Sequence, residues 1–266
     1  MSTPDEMGLT PEAAQGYEQY FVPAIFDQWP PTIIAAAEIS DGDKILEVGC
    51  GTGVLARELI KLVGAMGSVT GLDLSESMLG VARKICPQVD FRQGNAMDLP
   101  FDDAAFDVVI APFMLMFVPE PAKAVSELQR VLKPGGRMVL SVWEALERNE
   151  VYSGLVEIAR QRIDDAAGDS LAWPFALGAN GKLGEICRDA GVGEVEIKTH
   201  DGRAKFPSLE DFVRTEIQSW VLATSVTEKS LAAIVADAKT RFANYCDQSG
   251  AIDMPINALL AKAIKG

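Results

Sequence analysis

The sequence predicts an α/β fold built on a doubly wound, mostly parallel sheet. Three observations carry that expectation. Residues 45–53 read Ile-Leu-Glu-Val-Gly-Cys-Gly-Thr-Gly, an apolar run with one acid, then glycine at every second position. Across 44–143, apolar strand-like segments alternate with helical ones, the arrangement of a parallel sheet covered on both faces. Residues 106–111 form a nearly continuous apolar run after two aspartates, as expected of a buried parallel strand.

The elements follow in order. Residues 10–38 read as helices broken by Pro23 and by Pro30-Pro31, with Thr10 as N-cap and Pro11 in the first turn. Strand one spans about 44–49 and its helix 54–63. Strand two covers 67–73. Ser75 caps a helix reaching 86, and Pro87 lies just beyond it. Strand three is 89–93 and strand four 106–111. A helix over 121–132 is broken by Lys133-Pro134-Gly135-Gly136, and strand five runs from 137 to 143. Further on, helices are expected over 150–165, 181–190, 208–222 and 227–247, and a strand over 193–200. Residues 255–264 read as a closing strand, with a helix as the alternative.

Composition narrows the partners. Asp and Glu number 38 against 24 Lys and Arg, a net charge of −14. So acidic a chain repels phosphate backbones and anionic lipid, which argues against nucleic acid or a membrane surface. Cys50, Cys86, Cys187 and Cys246 are widely spaced and contain no C-x-x-C, so they read as reduced thiols of a cytoplasmic protein. The acidic start, residues 1–7, lacks a signal pattern, and no run of about 18 apolar residues suggests a membrane span. No His/Cys/Asp cluster has metal-ligand spacing, so no metal is expected.

The glycine loop is the main carrier of function. A strand feeding a glycine-rich turn that opens a helix is where open α/β sheets bind nucleotides. Gly49, Gly51 and Gly53 give G-x-G-x-G, distinct from the G-x-G-x-x-G of dinucleotide enzymes. Asp73 ends strand two, twenty residues after Gly53. An acid there can accept both ribose hydroxyls of an adenosine ligand. Glu47-x-Gly49-x-Gly51-x-Gly53 followed by Gly71-Leu72-Asp73-Leu74-Ser75 resembles the class I S-adenosylmethionine-dependent methyltransferases. Gly94-Asn95-Ala96-Met97-Asp98-Leu99-Pro100-Phe101 is similar to the family's second adenosine-contact motif, with Asn95 where Asp is usual. The amide oxygen can accept the same hydrogen bond from the adenine amino group. The turn Leu132-Lys133-Pro134-Gly135-Gly136-Arg137 resembles the family's entry to strand five. Leu140-Ser141-Val142-Trp143 and the segment 17–26 are similar to a subgroup near the ubiquinone and menaquinone C-methyltransferases, a methyltransferase-11-like domain.

The resemblance implies a Rossmann-like, seven-stranded, mostly parallel sheet within one methyltransferase domain over 1–266. N-terminal lid helices would occupy 1–38 and the cofactor-binding core 40–145. Acceptor-side helices, inserted before the last strand, and closing strands would fill 146–266. It implies S-adenosyl-L-methionine as cofactor, S-adenosyl-L-homocysteine as product, and a small apolar or aromatic methyl acceptor. Cofactor contacts are expected from Tyr17, Glu47, Gly49, Cys50, Gly51, Gly53, Asp73, Leu74, Met78, Asn95, Ala96, Met97, Ala111 and Met116. Acceptor contacts are expected from Tyr20, Phe21, Phe113 and Trp143. Met114 and Phe117 belong to the same apolar cluster, which lacks the His-His of many relatives.

Methyl transfer from a sulfonium is an in-line displacement that disperses charge, so the protein mainly positions both partners. No catalytic residue is therefore assigned. Asp98, Glu144 and the single histidine, His200, are the groups that could act as a base. Two other functions compete. A non-catalytic relative would bind the cofactor as a scaffold or regulator. A nicotinamide-dependent oxidoreductase would share the loop and ribose acid, but the chain shows no clear Tyr-x-x-x-Lys or Cys/His site.

Overall fold

The structure, a computed structural model, describes residues 10–179, 181–218 and 226–266. The acidic start, the first nine residues of the lid segment and the end of the helix expected over 208–222 lie outside the described residues. Helix α1, Pro11–Gly16, begins as expected, with Thr10 Oγ1 accepting from the Ala13 N–H at 3.2 Å. The chain does not break at Pro23. Tyr17–Phe26 continues as a π-helix through that proline, closing with the Asp27 N–H on the Val22 carbonyl at 2.9 Å. The wider π turn shifts the bonding pattern past a residue that has no N–H to give. Arg57 holds this run down, donating to Glu18 at 2.7 Å and to Asp27 at 3.3 Å. Helix α2, Pro30–Ala37, follows.

Strands β1 (Lys44–Val48), β2 (Ser68–Asp73), β3 (Asp90–Gln93), β4 (Phe106–Pro112) and β5 (Leu132–Trp143) pair in parallel, in the order β3-β2-β1-β4-β5. Helices α3 (Ala56–Leu59), α4 (Glu76–Ile85) and α5 (Pro121–Val131) stand in the crossovers. The strand order reverses between β1 and β4, which opens the crevice where doubly wound sheets take ligands. β6 (Val195–His200) and β9 (Ala258–Ile264) complete the seven-stranded sheet. β9 enters between β5 and β6 and is antiparallel to both. The Rossmann-like α/β expectation is met.

Local differences have local causes. The helix expected over 54–63 is α-helical only over α3, because i→i−3 bonds (Lys61 to Glu58, Leu62 to Leu59) tighten its end. β5 begins before Lys133-Pro134-Gly135-Gly136 rather than after it. A register shift against β4 absorbs the turn, and Gly135, at φ +75°, donates to the Lys265 carbonyl at 2.7 Å. The helix expected over 150–165 divides into α6 (Glu150–Arg162) and α7 (Asp165–Ala172), because Asp164 caps the second through the Ala167 N–H. Helix α8 covers Lys182–Asp189 and α9 Leu209–Gln218. The helix expected over 227–247 stops as α10 (Glu228–Arg241). An additional two-stranded sheet pairs β7 (Arg203–Phe206) with β8 (Ile252–Pro255).

Candidate active site

The three loop glycines share positive φ but answer to different neighbours. Gly49, at φ +73°, lies under Met114, and a Cβ there would stand 2.4 Å from that side chain's Cβ. Gly53, at φ +84°, packs on Phe91 and Ala82. Gly51, at φ +54°, has nothing within 4 Å of where a Cβ would project, so it faces open space. The loop is pinned to β2: the Gly49 and Cys50 N–H groups both donate to the Leu72 carbonyl, at 2.7 and 3.1 Å. Asp73 joins the loop to α4, because its carboxylate accepts from the Gly51 N–H at 2.8 Å and the Ser75 N–H at 2.9 Å.

Beyond these groups lies a cavity open to solvent. Its walls include Tyr17, Gly49, Gly51, Asp73, Leu74 and Met78, with Asn95, Ala96 and Met97 opposite. Asn95 Oδ1 accepts from the Met97 N–H at 2.9 Å, which shapes the turn and leaves a second lone pair. Arg130 braces this turn from below. Its guanidinium donates to the Leu99 and Phe101 carbonyls, to Glu127 and to Asp103 at 2.7–2.9 Å. Arg130→Met is expected to release those carbonyls and weaken ligand binding in this cavity several-fold. Amide exchange over 94–103 should quicken in the same variant. Unchanged exchange there would remove the bracing role.

Glu47 is buried at the root of the loop. Its carboxyl takes a backbone hydrogen bond from Ala56, while Oε2 has no partner among the described residues; Thr52 Oγ1 is likewise unpartnered. Burial, reinforced by the charge of Asp73, pushes the Glu47 carboxyl up to about 8. Burial also raises the Cys50 thiol, so that sulfur is no nucleophile at neutral pH.

A second cavity adjoins the first. Tyr17, Gly49, Gly51, Phe113 and Phe117 form walls of both. Phe113 stacks on Trp143 at 4.1 Å between ring centroids, with Phe26 and Trp29 packed around them. Phe113 adopts φ +51°, an uncommon conformation for an aromatic residue, held by its N–H donating to Ser141. The far wall comes from the C-terminal half, with Tyr152, Trp173, Phe175 and Glu216. Tyr152 donates its hydroxyl to Glu216 Oε1 at 2.9 Å, and both residues are buried. Burial pushes the Glu216 carboxyl up to about 7, and burial with the neighbouring Glu216 raises the Tyr152 phenol well above its ordinary range.

The profile of a methyltransferase-domain family matches residues 46–140, the segment that carries the loop and the first cavity. A demethylmenaquinone methyltransferase of Shouchella clausii is 33% identical over 194 residues, 65% of this chain and 80% of that protein. The chain belongs to the methyltransferase family. A demethylmenaquinone methyltransferase of Staphylococcus carnosus is 43% identical over 114 residues, 42% of this chain, so the chain spans about half the length (47%) of that relative. Among solved structures, a Haemonchus contortus phosphoethanolamine N-methyltransferase 2 with bound S-adenosylhomocysteine superposes with a TM-score of 0.61. It is 18% identical and covers 98% of this chain and 58% of its own, a likeness of fold alone.

Within this methyltransferase-family chain, most of the expected site residues converge. Asp73, Leu74, Met78, Asn95, Ala96 and Met97 line the first cavity, Glu47, Cys50, Phe21 and Trp143 the second, and Tyr17, Gly49, Gly51 and Phe113 both. Four stand apart. Gly53 supports the loop from behind, Ala111 is buried inside β4 beside the cavity-lining Pro112, and Met116 is buried in the core. Tyr20 is 56% exposed and lines neither cavity, because the π turn rotates it outward. Asp98, Glu144 and His200 also line neither. Sequence reasoning missed Phe26, Trp29, Tyr152, Trp173, Phe175 and Glu216. One signal was present: Leu209, Phe212, Val213, Glu216 and Ile217 follow a helical apolar stripe in which Glu216 is the sole charge.

Among the described residues no cluster could hold a metal ion, and no helix is long and apolar enough to cross a membrane.

Proposed function

We propose that the chain transfers a methyl group from S-adenosylmethionine to a small apolar aromatic acceptor by direct displacement. The observation that carries this is the junction of the two cavities at Tyr17, Gly49, Gly51, Phe113 and Phe117. The residues present fit the donor: Gly51 leaves open space where a side chain would project, Asp73 stands at the tip of β2, and Glu47 Oε2 is buried with no partner among the described residues. The bound donor supplies an activated methyl on a sulfonium. Asp73 would hold the ribose, Asn95 to Met97 the adenine, and Glu47 the amino-acid ammonium. Tyr17 and Phe113 offer ring faces near the junction, where a cation gains roughly 0.5–2 kcal/mol. Holding donor and acceptor in line supplies roughly 7–11 kcal/mol of the barrier.

The acceptor is of the hydroquinone kind. The aromatic second cavity supports this, as do relatives named for demethylmenaquinone. The acidic chain, with its net charge of −14, fits a small-molecule partner better than a nucleic acid. Four unpaired cysteines fit a reducing, cytoplasmic setting.

Calorimetric titration with S-adenosylhomocysteine, with NADH as control, tests the donor. Binding of the former alone is expected; binding of NADH alone, or of neither, overturns the proposal. The titration carries a pH signature. A carboxyl raised on folding keeps its proton, and its stabilising contribution is lost as pH rises from the ordinary value near 4.5 through about 8. An ammonium beside Glu47 favours the ionised form. Affinity should therefore rise as pH climbs from neutrality to about 8, with a proton released on binding. An observed enthalpy independent of buffer at pH 7 would sink the Glu47 assignment.

A further inference from the structure

The acceptor cavity carries a polar pair that the fold does not require. α9 presents Leu209, Phe212, Val213 and Ile217 to the interior, and the same stripe includes Glu216. A carboxyl on an apolar stripe is costly to bury unless it is paired, and a leucine would pack there as well. No cation neutralises Glu216 among the described residues. It accepts from Tyr152, and burial holds its carboxyl above the ordinary carboxylate range. Tyr152 is itself locked in place, with its ring packed on Phe175 at 5.1 Å and on Phe212 at 5.5 Å. A carboxyl accepts more than one hydrogen bond, so the tyrosine leaves acceptor capacity on Glu216. Both residues line the cavity, on the wall formed by the C-terminal half and not by the glycine loop.

We propose that Glu216 is a specificity-determining residue that accepts a hydrogen bond from a hydroxyl on the methyl acceptor. This rests on the methyltransferase reading and extends it: the acceptor is an aromatic alcohol, and the hydroxyl points away from the glycine loop. A site built to bind a hydroxyl rejects the isostere that lacks it, because the buried acceptor is then left unpaired. An apolar pocket makes no such distinction.

The test uses the full chain saturated with S-adenosylhomocysteine and two probes of similar shape, 1-naphthol and 1-methylnaphthalene, titrated calorimetrically. Wild-type protein should prefer the naphthol by at least about tenfold. Glu216→Leu should bring the ratio to about one while S-adenosylhomocysteine affinity stays within about twofold, since Glu216 does not line the donor cavity. Tyr152→Phe should keep the preference, because the carboxyl remains and loses its competitor. If Glu216→Leu does not fold, Glu216→Met, which keeps the length of the side chain but has no oxygen to accept, should still lower the ratio several-fold. A flat ratio in wild type, or a preference that survives Glu216→Leu, overturns the inference while S-adenosylhomocysteine still binds. Failure of wild type to bind S-adenosylhomocysteine overturns the methyltransferase reading itself.

Discussion

Gly51→Val is expected to abolish measurable S-adenosylhomocysteine binding while the protein stays folded. The two valine methyls would occupy space that is now empty of protein atoms and belongs to the wall shared by the two cavities. Forced overlap with a ligand costs on the order of 3 kcal/mol or more, an affinity loss beyond about a hundredfold. Strain from a β-branched residue at φ +54° lowers stability by about 1–3 kcal/mol, which leaves a folded domain. Gly49→Val is the contrasting control. There the new Cβ meets Met114 at 2.4 Å and φ is +73°, so overpacking and strain act together and the melting temperature should fall much further. Thermal unfolding and calorimetry on both variants separate a glycine that serves the ligand from one that serves the fold. Normal binding by Gly51→Val would show that the loop faces something other than the donor.

Asp73→Ala is the second large effect, and it has two readouts. The carboxylate accepts the Gly51 and Ser75 N–H groups in the free protein, and the proposed function gives it the ribose. Its removal should weaken S-adenosylhomocysteine binding by about 1–3 kcal/mol, roughly 5- to 150-fold. Asp73 also contributes to the elevation of Glu47, second to burial. Without that negative charge, Glu47 ionises at lower pH, so the rise of affinity with pH shifts downward. A purely structural defect would weaken binding at every pH and leave the shape of the profile in place. Affinity unchanged in a folded Asp73→Ala protein would end the ribose assignment.

The glycine loop and the first cavity were legible because their signals are local. Positive φ at Gly49, Gly51 and Gly53, the cap at Ser75 and the acid at the end of β2 all depend on residues within a short span. The second cavity was legible only in fragments. Phe113 and Trp143 were expected there, but Tyr20 was too, and the π-helix turned it out to solvent. The proline at 23 read as a break because interior proline usually ends an α-helix, and the wider π turn changes that rule. Tyr152 and Glu216 are 64 residues apart, on different helices, and no periodicity links them.

By itself the sequence determined the parallel core over 44–143, the glycine loop and its acid partner, because strand alternation, helix periodicity and glycine geometry are properties of neighbouring residues. Only the tertiary structure decided that β9 slips antiparallel between β5 and β6, that β7 and β8 form a separate ribbon, and that two cavities share a wall. Those outcomes come from pairings and packings between distant segments. Their free energy depends on which surfaces meet, and a short apolar run matches several partners equally well until the rest of the core is in place.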